Sequence, residues 1–317
     1  MKRQRLGSEG PEISVIGFGA WEAGGADWGP NPPDDEVVGA MRAAFDAGIT
    51  WIDTAEVYGD GTSEEFVGRA IEGRRDEVVV ATKVAPRPDG TGFRRDEIRA
   101  ACEASLKRLG IDRIDLYQLH WPDPDVPVEE TWEAMVGLVD QGLVRHIGVS
   151  NFDQGLIERC EAIRHVDSLQ PELSMLQLDD RDLARWCGEQ GIGVVAYGPL
   201  GSGLLTGAID MDTEFHPADW RSGRTGDGSY RRFFAPGQRE KSLAVADGIR
   251  PVAERLGATV AQVALAWTFH QDGVTSAIAG SRNPGHVKDN AEAGDLTLDE
   301  PALQELEELL RRGPRFG

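Results

Sequence analysis

The sequence predicts a (β/α)8 TIM barrel. Three observations carry that prediction: eight short apolar runs along 317 residues, a helical stretch after each, and no dinucleotide-type glycine fingerprint after the first. Near-continuous β-branched runs suit parallel strands covered on both faces. Alternation of β and α with eight strands is the pattern of a closed barrel. A doubly wound sheet, the alternative, should carry G-x-G-x-x-G where its first strand meets a helix. Gly17 and Gly19 supply only the first pair; Gly24 and Gly25 are misplaced, and no helix follows at once.

The elements run in order. ISVIGFG (13–19) precedes a helix from about Asp34 to Ala47, and WID (51–53) one from about Ser63 to Ile71. EVVVATK (77–83) precedes a helix over about 94–109, and IDLYQLH (114–120) one over about 128–141. VRHIGVS (144–150) is followed by a helix over 153–164, and SLQ (168–170) by one over 181–190. GVVAY (193–197) leads into a long loop and then helical sequence; VTSAIAG (274–280) leads into a last unit over 284–293. Val37, Met41, Ala44 and Phe45 share one helical stripe, as do Ile98, Cys102, Ser105, Leu106 and Leu109. Gly48, Gly110, Gly142 and Gly191 sit where helices prefer a C-terminal glycine.

Three pieces fall outside the rhythm. Residues 3–15 read as a hairpin around Ser8-Glu9-Gly10-Pro11, placed to plug the lower face of the barrel. Residues 206–239 form a long polar stretch holding Phe215, Trp220, Phe233 and Phe234, expected to close over a bound ligand. The segment 299–311 reads as an extra amphipathic C-terminal helix. No linker divides the chain, so residues 1–317 are expected to form a single domain.

Charge narrows the function. With 54 acidic against 33 basic residues, the net charge is −21, a field that repels nucleic acid and anionic membrane alike. An anionic ligand must therefore find a local basic site. Cys102, Cys160 and Cys187 are odd in number and far apart, which suits reduced, buried thiols and a cytoplasmic location. No apolar signal segment or membrane-length run is seen, and no cluster has metal-ligand spacing.

In a (β/α)8 barrel the reactive residues lie at the C-terminal ends of the strands. The titratable residues placed there are Asp53, Lys83 and His120, with Tyr58 in the loop after the second strand. Each alone has an ordinary explanation. Lys83 could snorkel to solvent, His120 could be a hydrogen-bonded core histidine, Asp53 a loop cap and Tyr58 a turn aromatic. Together they supply a weak acid, a cation to tune it, an anion to hold the cation, and a polar orienter. A phenol titrates near 10 and protonates a carbonyl oxygen poorly near neutral pH. A nearby ammonium stabilises the phenolate, and a carboxylate holds that ammonium in place. Such machinery stabilises a developing alkoxide while a hydride reaches carbon, which calls for a nicotinamide.

WIDTAEVYGDGTSEEFVGRAI (51–71), ATK (81–83), LYQLHWP (116–122) and LVRHIGVSNF (143–152) together resemble signature blocks of the aldo-keto reductase superfamily. The likeness runs from GFGAW (17–21) to AGSRNPGHVKDNAEA (279–293). It implies Tyr58 as proton donor, Lys83 and Asp53 as its tuning pair, and His120 as the orienting group. Ser150, Asn151 and Gln170 match family contacts to the nicotinamide carboxamide, and Tyr197 matches the aromatic that stacks on the ring. PLGSGLLTG (199–207) resembles a pyrophosphate loop, with Leu200, Gly201, Ser202 and Gly203 in it. Gly280, Ser281 and Arg282 resemble the adenosine end, where a helix start favours an anion and Arg282 suits a 2′-phosphate. Asn290, with Asp289, matches adenine contacts.

Two positions depart from the family: Leu173 stands where an aromatic is common, and His286 where a Gln is familiar. Trp21 and Trp121 match positions that line the substrate pocket, and Trp28 is placed on the same rim. The implied activity is reversible reduction of an aldehyde or ketone with NADPH, giving alcohol and NADP+. The alternatives are a sugar or polyol dehydrogenase working oxidatively, and an NADP(H)-holding regulatory subunit resembling potassium-channel β subunits.

Overall fold

A computed structural model describes residues 1–25, 27–30, 32–87, 92–223 and 229–313. Two short strands, β1 (Arg3–Arg5) and β2 (Glu12–Ser14), pair antiparallel with Arg3 opposite Ser14, forming the expected hairpin. The eight predicted strands then close into a barrel. They are β3 (Ile16–Gly19), β4 (Trp51–Asp53), β5 (Val79–Val84) and β6 (Ile114–Leu119), followed by β7 (Val144–Ser150), β8 (Ser168–Gln170), β9 (Gly193–Ala196) and β10 (Val274–Ala279). Every neighbouring pair is parallel, and β10 closes the ring by pairing with both β9 and β3.

The helices are α1 (Asp34–Asp46), α2 (Thr62–Ile71), α3 (Arg95–Leu109), α4 (Val128–Asp140) and α5 (Gln154–Glu161), then α6 (Arg181–Glu189), α7 (Gln238–Leu256), α8 (Val260–Phe269), α9 (Pro284–Glu292) and α10 (Glu300–Arg312). The apolar stripe of α1 is buried as its spacing requires. The four glycines placed at helix ends all take the left-handed conformation that favours this residue. Helix α5 stops three residues before its expected end. Glu161 accepts from the Val166 amide at 2.6 Å and contacts His165, so the chain turns toward β8 sooner. The three cysteines are buried, with their thiols pushed up to about 12 by burial.

The core has two parts. The larger lies between strands and helices, around residues such as Met41, Trp132 and Trp267. The smaller fills the lower barrel: Leu6 and Ile13 of the hairpin pack against Trp51, Ala81, Leu116, Val195 and Ile278. The hairpin therefore closes one end of the barrel with apolar side chains.

The stretch expected as one long loop carries short 3-10 turns at Trp220–Ser222 and Ser229–Phe233; its residues 224–228 lie outside those described. It crosses to the loop after β3, where the Trp220 amide donates to the Asp27 carbonyl at 2.8 Å. The Trp220 ring packs edge-on against Trp28, with centroids 5.8 Å apart. Among the described residues, no helix is long and apolar enough to cross a membrane.

Candidate active site

Strand parity builds the floor of the open end. On β6 and one residue past its end, Leu116, Gln118 and His120 share the inward face: Leu116 joins the lower plug, Gln118 lies above it, and His120 lines the cleft. On β4 and β5 the inward positions at the same level are Asp53 and Lys83. Lys83 is fully buried and Asp53 nearly so.

The Lys83 ammonium donates to Asp53 Oδ2 at 2.6 Å, to the Thr54 carbonyl at 2.8 Å and to the Tyr58 hydroxyl at 3.3 Å. An ammonium has three protons, and these three acceptors fix its position. The four expected catalytic residues thus meet: Asp53–Lys83–Tyr58 is one chain, and the His120 ring lies edge-on to Tyr58, with centroids 5.6 Å apart.

Burial pushes the Tyr58 phenol well above its ordinary value, and the Asp53 carboxylate pushes the same way. The Lys83 ammonium opposes both by favouring the phenolate. Tyr58 consequently holds its proton at neutral pH. Burial, and then the Lys83 charge, hold the His120 imidazole well below its ordinary value. The ring is neutral near pH 7 and offers one N–H and one lone pair. Its Nδ1 is buried and has no hydrogen-bond partner among the described residues. Its face stacks on Trp121 at 3.7 Å.

Two glutamines hold the other Asp53 oxygen. Gln170 Nε2 donates to Oδ1 at 2.9 Å, and Gln118 Nε2 approaches it at 3.5 Å. Gln118 did not figure among the site residues read from sequence, although the parity it shares with His120 was a sufficient signal. Gln170, expected at the cofactor, braces the Asp53 carboxylate.

Along the cleft wall, Ser150 donates to the Gln170 carbonyl at 2.8 Å. Asn151 takes a left-handed backbone (φ 60). Its amide nitrogen donates to the His120 carbonyl at 3.0 Å, and its oxygen accepts from the Tyr197 hydroxyl at 2.8 Å. These bonds hold the expected carboxamide contacts and the tyrosine expected to stack on the ring in one network.

The cleft encloses about 1150 Å³, above the common range for small-ligand pockets, roughly 300–1,000 Å³. Most of the expected cofactor and pocket residues line it, including Leu200, Ser202, Gly203, Ser281, His286 and Asn290. Gly201 does not. Its backbone is left-handed, and a Cβ there would lie 2.7 Å from Leu176 Cδ1, so packing explains this glycine. Gly280 does line the cleft; a Cβ would come 2.2 Å from the Gly19 carbonyl oxygen, so only glycine lets the ends of β10 and β3 meet.

Trp21, Trp28 and Trp121 line the cleft as expected. Trp28 is largely buried, held edge-on between Trp21 and Trp220. Arg282 departs from a freely presented phosphate ligand. Its guanidinium donates to the carbonyls of Trp28 at 2.7 Å and Pro30 at 3.3 Å, pinning the loop after β3. Glu22, also missed in the sequence, faces the same region. Burial raises its carboxyl, opposed by Arg282 and Arg221.

The Aldo/keto reductase family model matches residues 15–311. Aldo-keto reductase YhdN of Bacillus subtilis (strain 168) is 36% identical over 329 residues, spanning 100% of this chain and 97% of that protein. Glycerol dehydrogenase AKR11B4 from Gluconobacter oxydans superposes with a TM-score of 0.84 at 33% identity, covering 98% of this chain and 95% of that one. An aldo/keto reductase from Klebsiella pneumoniae, solved with NADP and acetate, gives a TM-score of 0.74 at 33% identity over 100% and 99%. With the barrel, the buried Asp53–Lys83–Tyr58 chain and a family match over nearly its whole length, this chain belongs to the aldo/keto reductase family of oxidoreductases.

Proposed function

We propose that the protein reduces an aldehyde or ketone to the alcohol, reversibly, with NADPH. The observation that carries this reading is the fully buried Lys83 bridging Asp53 and the Tyr58 hydroxyl at the floor of an open cleft.

The residues present fit a dinucleotide. The cleft is long enough to run from Tyr58 to Asn290, and its lining offers amide and hydroxyl groups at one end and arginines at the other. When bound, the nicotinamide would supply the hydride. Ser150, Asn151 and Gln170 would hold its carboxamide, and the Tyr197 ring would bear on its face. Tyr58 donates a proton to the carbonyl oxygen, while neutral His120 orients that oxygen by a hydrogen bond. Lys83 stabilises the phenolate left behind, and Asp53 keeps Lys83 in place. Trp21 and Trp121 present apolar faces to the substrate, and the His120–Trp121 stack fixes one wall.

Turnover of a panel of small aldehydes, followed by NADPH absorbance, tests this reading; no turnover with any of them would overturn it. The same residues serve alcohol oxidation by microscopic reversibility. The likeness to a protein named as a glycerol dehydrogenase makes polyols with NADP+ the second panel.

Arg282 is expected to set the preference for NADPH over NADH, because the two differ only by the ribose 2′-phosphate. Its present bonds to the Trp28 and Pro30 carbonyls place it at the rim, beside Ser281. A charge-assisted bond is worth about 1.5–3 kcal/mol, so Arg282→Ala should weaken NADP+ binding roughly ten- to a hundredfold and barely change NAD+ binding. Equal losses for the two cofactors would remove the assignment.

The described part of the segment over 206–223 should also gain hydrogen-exchange protection when NADP+ is added, since Trp220 and Arg221 already reach across the cleft. Equal protection with and without cofactor would count against its closing over the ligand.

A further inference from the structure

We propose that Glu64 is a positioning residue for the Tyr58–Lys83 pair, acting through the hydroxyl of Thr82. The inference rests on the reading of Tyr58 as proton donor given above.

Lys83 and its three acceptors are not all held by the barrel in the same way. Asp53 and Thr54 are reached across a sheet. β4 and β5 pair with Asp53 opposite Ala81, and the Thr54 amide donates to the Ala81 carbonyl at 2.9 Å. Ladder bonds therefore set those two distances. Tyr58 lies beyond the ladder, in the turn between β4 and α2. Its 3.3 Å contact is the longest of the three, and it depends on other links between β5 and that turn.

The near end of the turn is held by Glu56. Its amide donates to the Lys83 carbonyl at 3.3 Å, and its carboxylate accepts from the Ala85 amide at 3.1 Å. The far end runs into the first turn of α2, where the Ser63 amide donates to the Tyr58 carbonyl at 3.2 Å. The next residue is Glu64, which is fully buried. Its Oε1 accepts from the Thr82 hydroxyl at 2.6 Å and its Oε2 from Arg108 Nε at 2.6 Å. Thr82 and Lys83 are consecutive on β5, so their side chains leave opposite faces of the barrel wall. Lys83 points in to Tyr58, and Thr82 points out to Glu64. The strand is thus gripped from behind, beside the lysine, by the same helical turn that holds the Tyr58 backbone.

The surroundings are built for this carboxylate. A buried charge needs a partner. Arg108 provides it, and Arg108 Nη2 donates in turn to the Ser105 hydroxyl at 3.2 Å. The arginine passes against Gly61 at the end of the Tyr58 turn. That residue has a left-handed backbone (φ 92), and a Cβ there would lie 2.5 Å from Arg108 Cδ. A carboxylate in the first turn of a helix also meets its positive end. Packing alone would be served as well by apolar side chains of similar volume. The bond from hydroxyl to carboxylate adds direction: it fixes where α2, and with it the Tyr58 turn, sits along β5.

Thr82→Val keeps the shape of the strand and the Glu64–Arg108 pair but removes the hydroxyl that joins them to β5. It should lower kcat for aldehyde reduction roughly ten- to a hundredfold, since displacing a reacting group by about 1 Å costs on the order of 10²-fold. The aldehyde KM and the NADP+ affinity should not change. Thr82→Ser, which restores the hydroxyl, should turn over at close to the wild-type rate. Because the effect runs through Tyr58, Thr82→Val should cost nothing further in a Tyr58→Phe background. A wild-type kcat in Thr82→Val would overturn the proposal. So would a Thr82→Ser protein as slow as Thr82→Val, or an equal fold-loss with and without the Tyr58 hydroxyl; either would mean a general disturbance of the strand. A wild-type chain that reduced no aldehyde would instead remove the reading of Tyr58 on which the proposal stands.

Discussion

Replacing Tyr58 by phenylalanine should cut carbonyl reduction by roughly 10²-fold or more, the usual contribution of a positioned general acid, with dinucleotide binding nearly intact. The ring would keep its place against Trp21 and His120, so only the hydroxyl is lost. Burial keeps that hydroxyl protonated well beyond its ordinary range, and His120 is poorly suited to replace it because its imidazole is held neutral near pH 7. Steady-state rates with one aldehyde, beside a cofactor titration, give both readouts. A Tyr58→Phe protein reducing aldehydes at the wild-type rate would rule out the assigned donor.

Lys83→Met should abolish activity and also destabilise the fold. Removing one member of a buried ion pair typically costs about 3–5 kcal/mol, because the other charge is left without compensation. Asp53 would keep Gln170 and Gln118 but lose its 2.6 Å partner. Adding Asp53→Asn to Lys83→Met removes the stranded charge, so the double variant should recover stability while activity stays lost. Denaturant unfolding read beside turnover separates the two effects. An active Lys83→Met protein whose pH–rate profile kept the wild-type acidic group would refute the coupling between lysine and phenol.

The barrel was legible because its signals are local and repeated. Apolar runs, glycine helix ends and the hairpin turn each act within a few residues. The four candidate residues were legible as residue types, three at strand ends and Tyr58 in the loop after the second strand, and the resemblance supplied their expected roles. Their support was harder to see. Gln118 lies on the same face as His120 but has no conspicuous chemistry of its own; only the closed barrel shows it reaching Asp53, 65 residues away. Gln170 gave no sign in the sequence of serving two neighbours. Glu22, Asp219 and Arg221 sit on aperiodic loops, where no repeat fixes direction. Their meeting depends on Trp220 packing on Trp28, a contact between segments distant in sequence. The early end of α5 likewise came from one Glu161 side chain capturing a backbone amide, an event that helix propensity does not register.

The apolar floor of the barrel also bears on how the chain is made. The Ser14 carbonyl accepts from Trp51 Nε1 and from the Ser276 hydroxyl, and Trp51 and Ser276, 225 residues apart, also contact each other at 3.1 Å. The two contacts made by Ser276 cannot form until the last barrel strand has left the ribosome. Ile13, Trp51 and Leu116 emerge earlier and wait without their final neighbours, in the condition that attracts chaperones and promotes aggregation. The entropy of closing so long a loop must also be met before the floor contributes anything. A circularly permuted chain with residues 274–279 placed shortly before residue 3 would deliver both halves of the floor together. It should refold faster at a similar final stability.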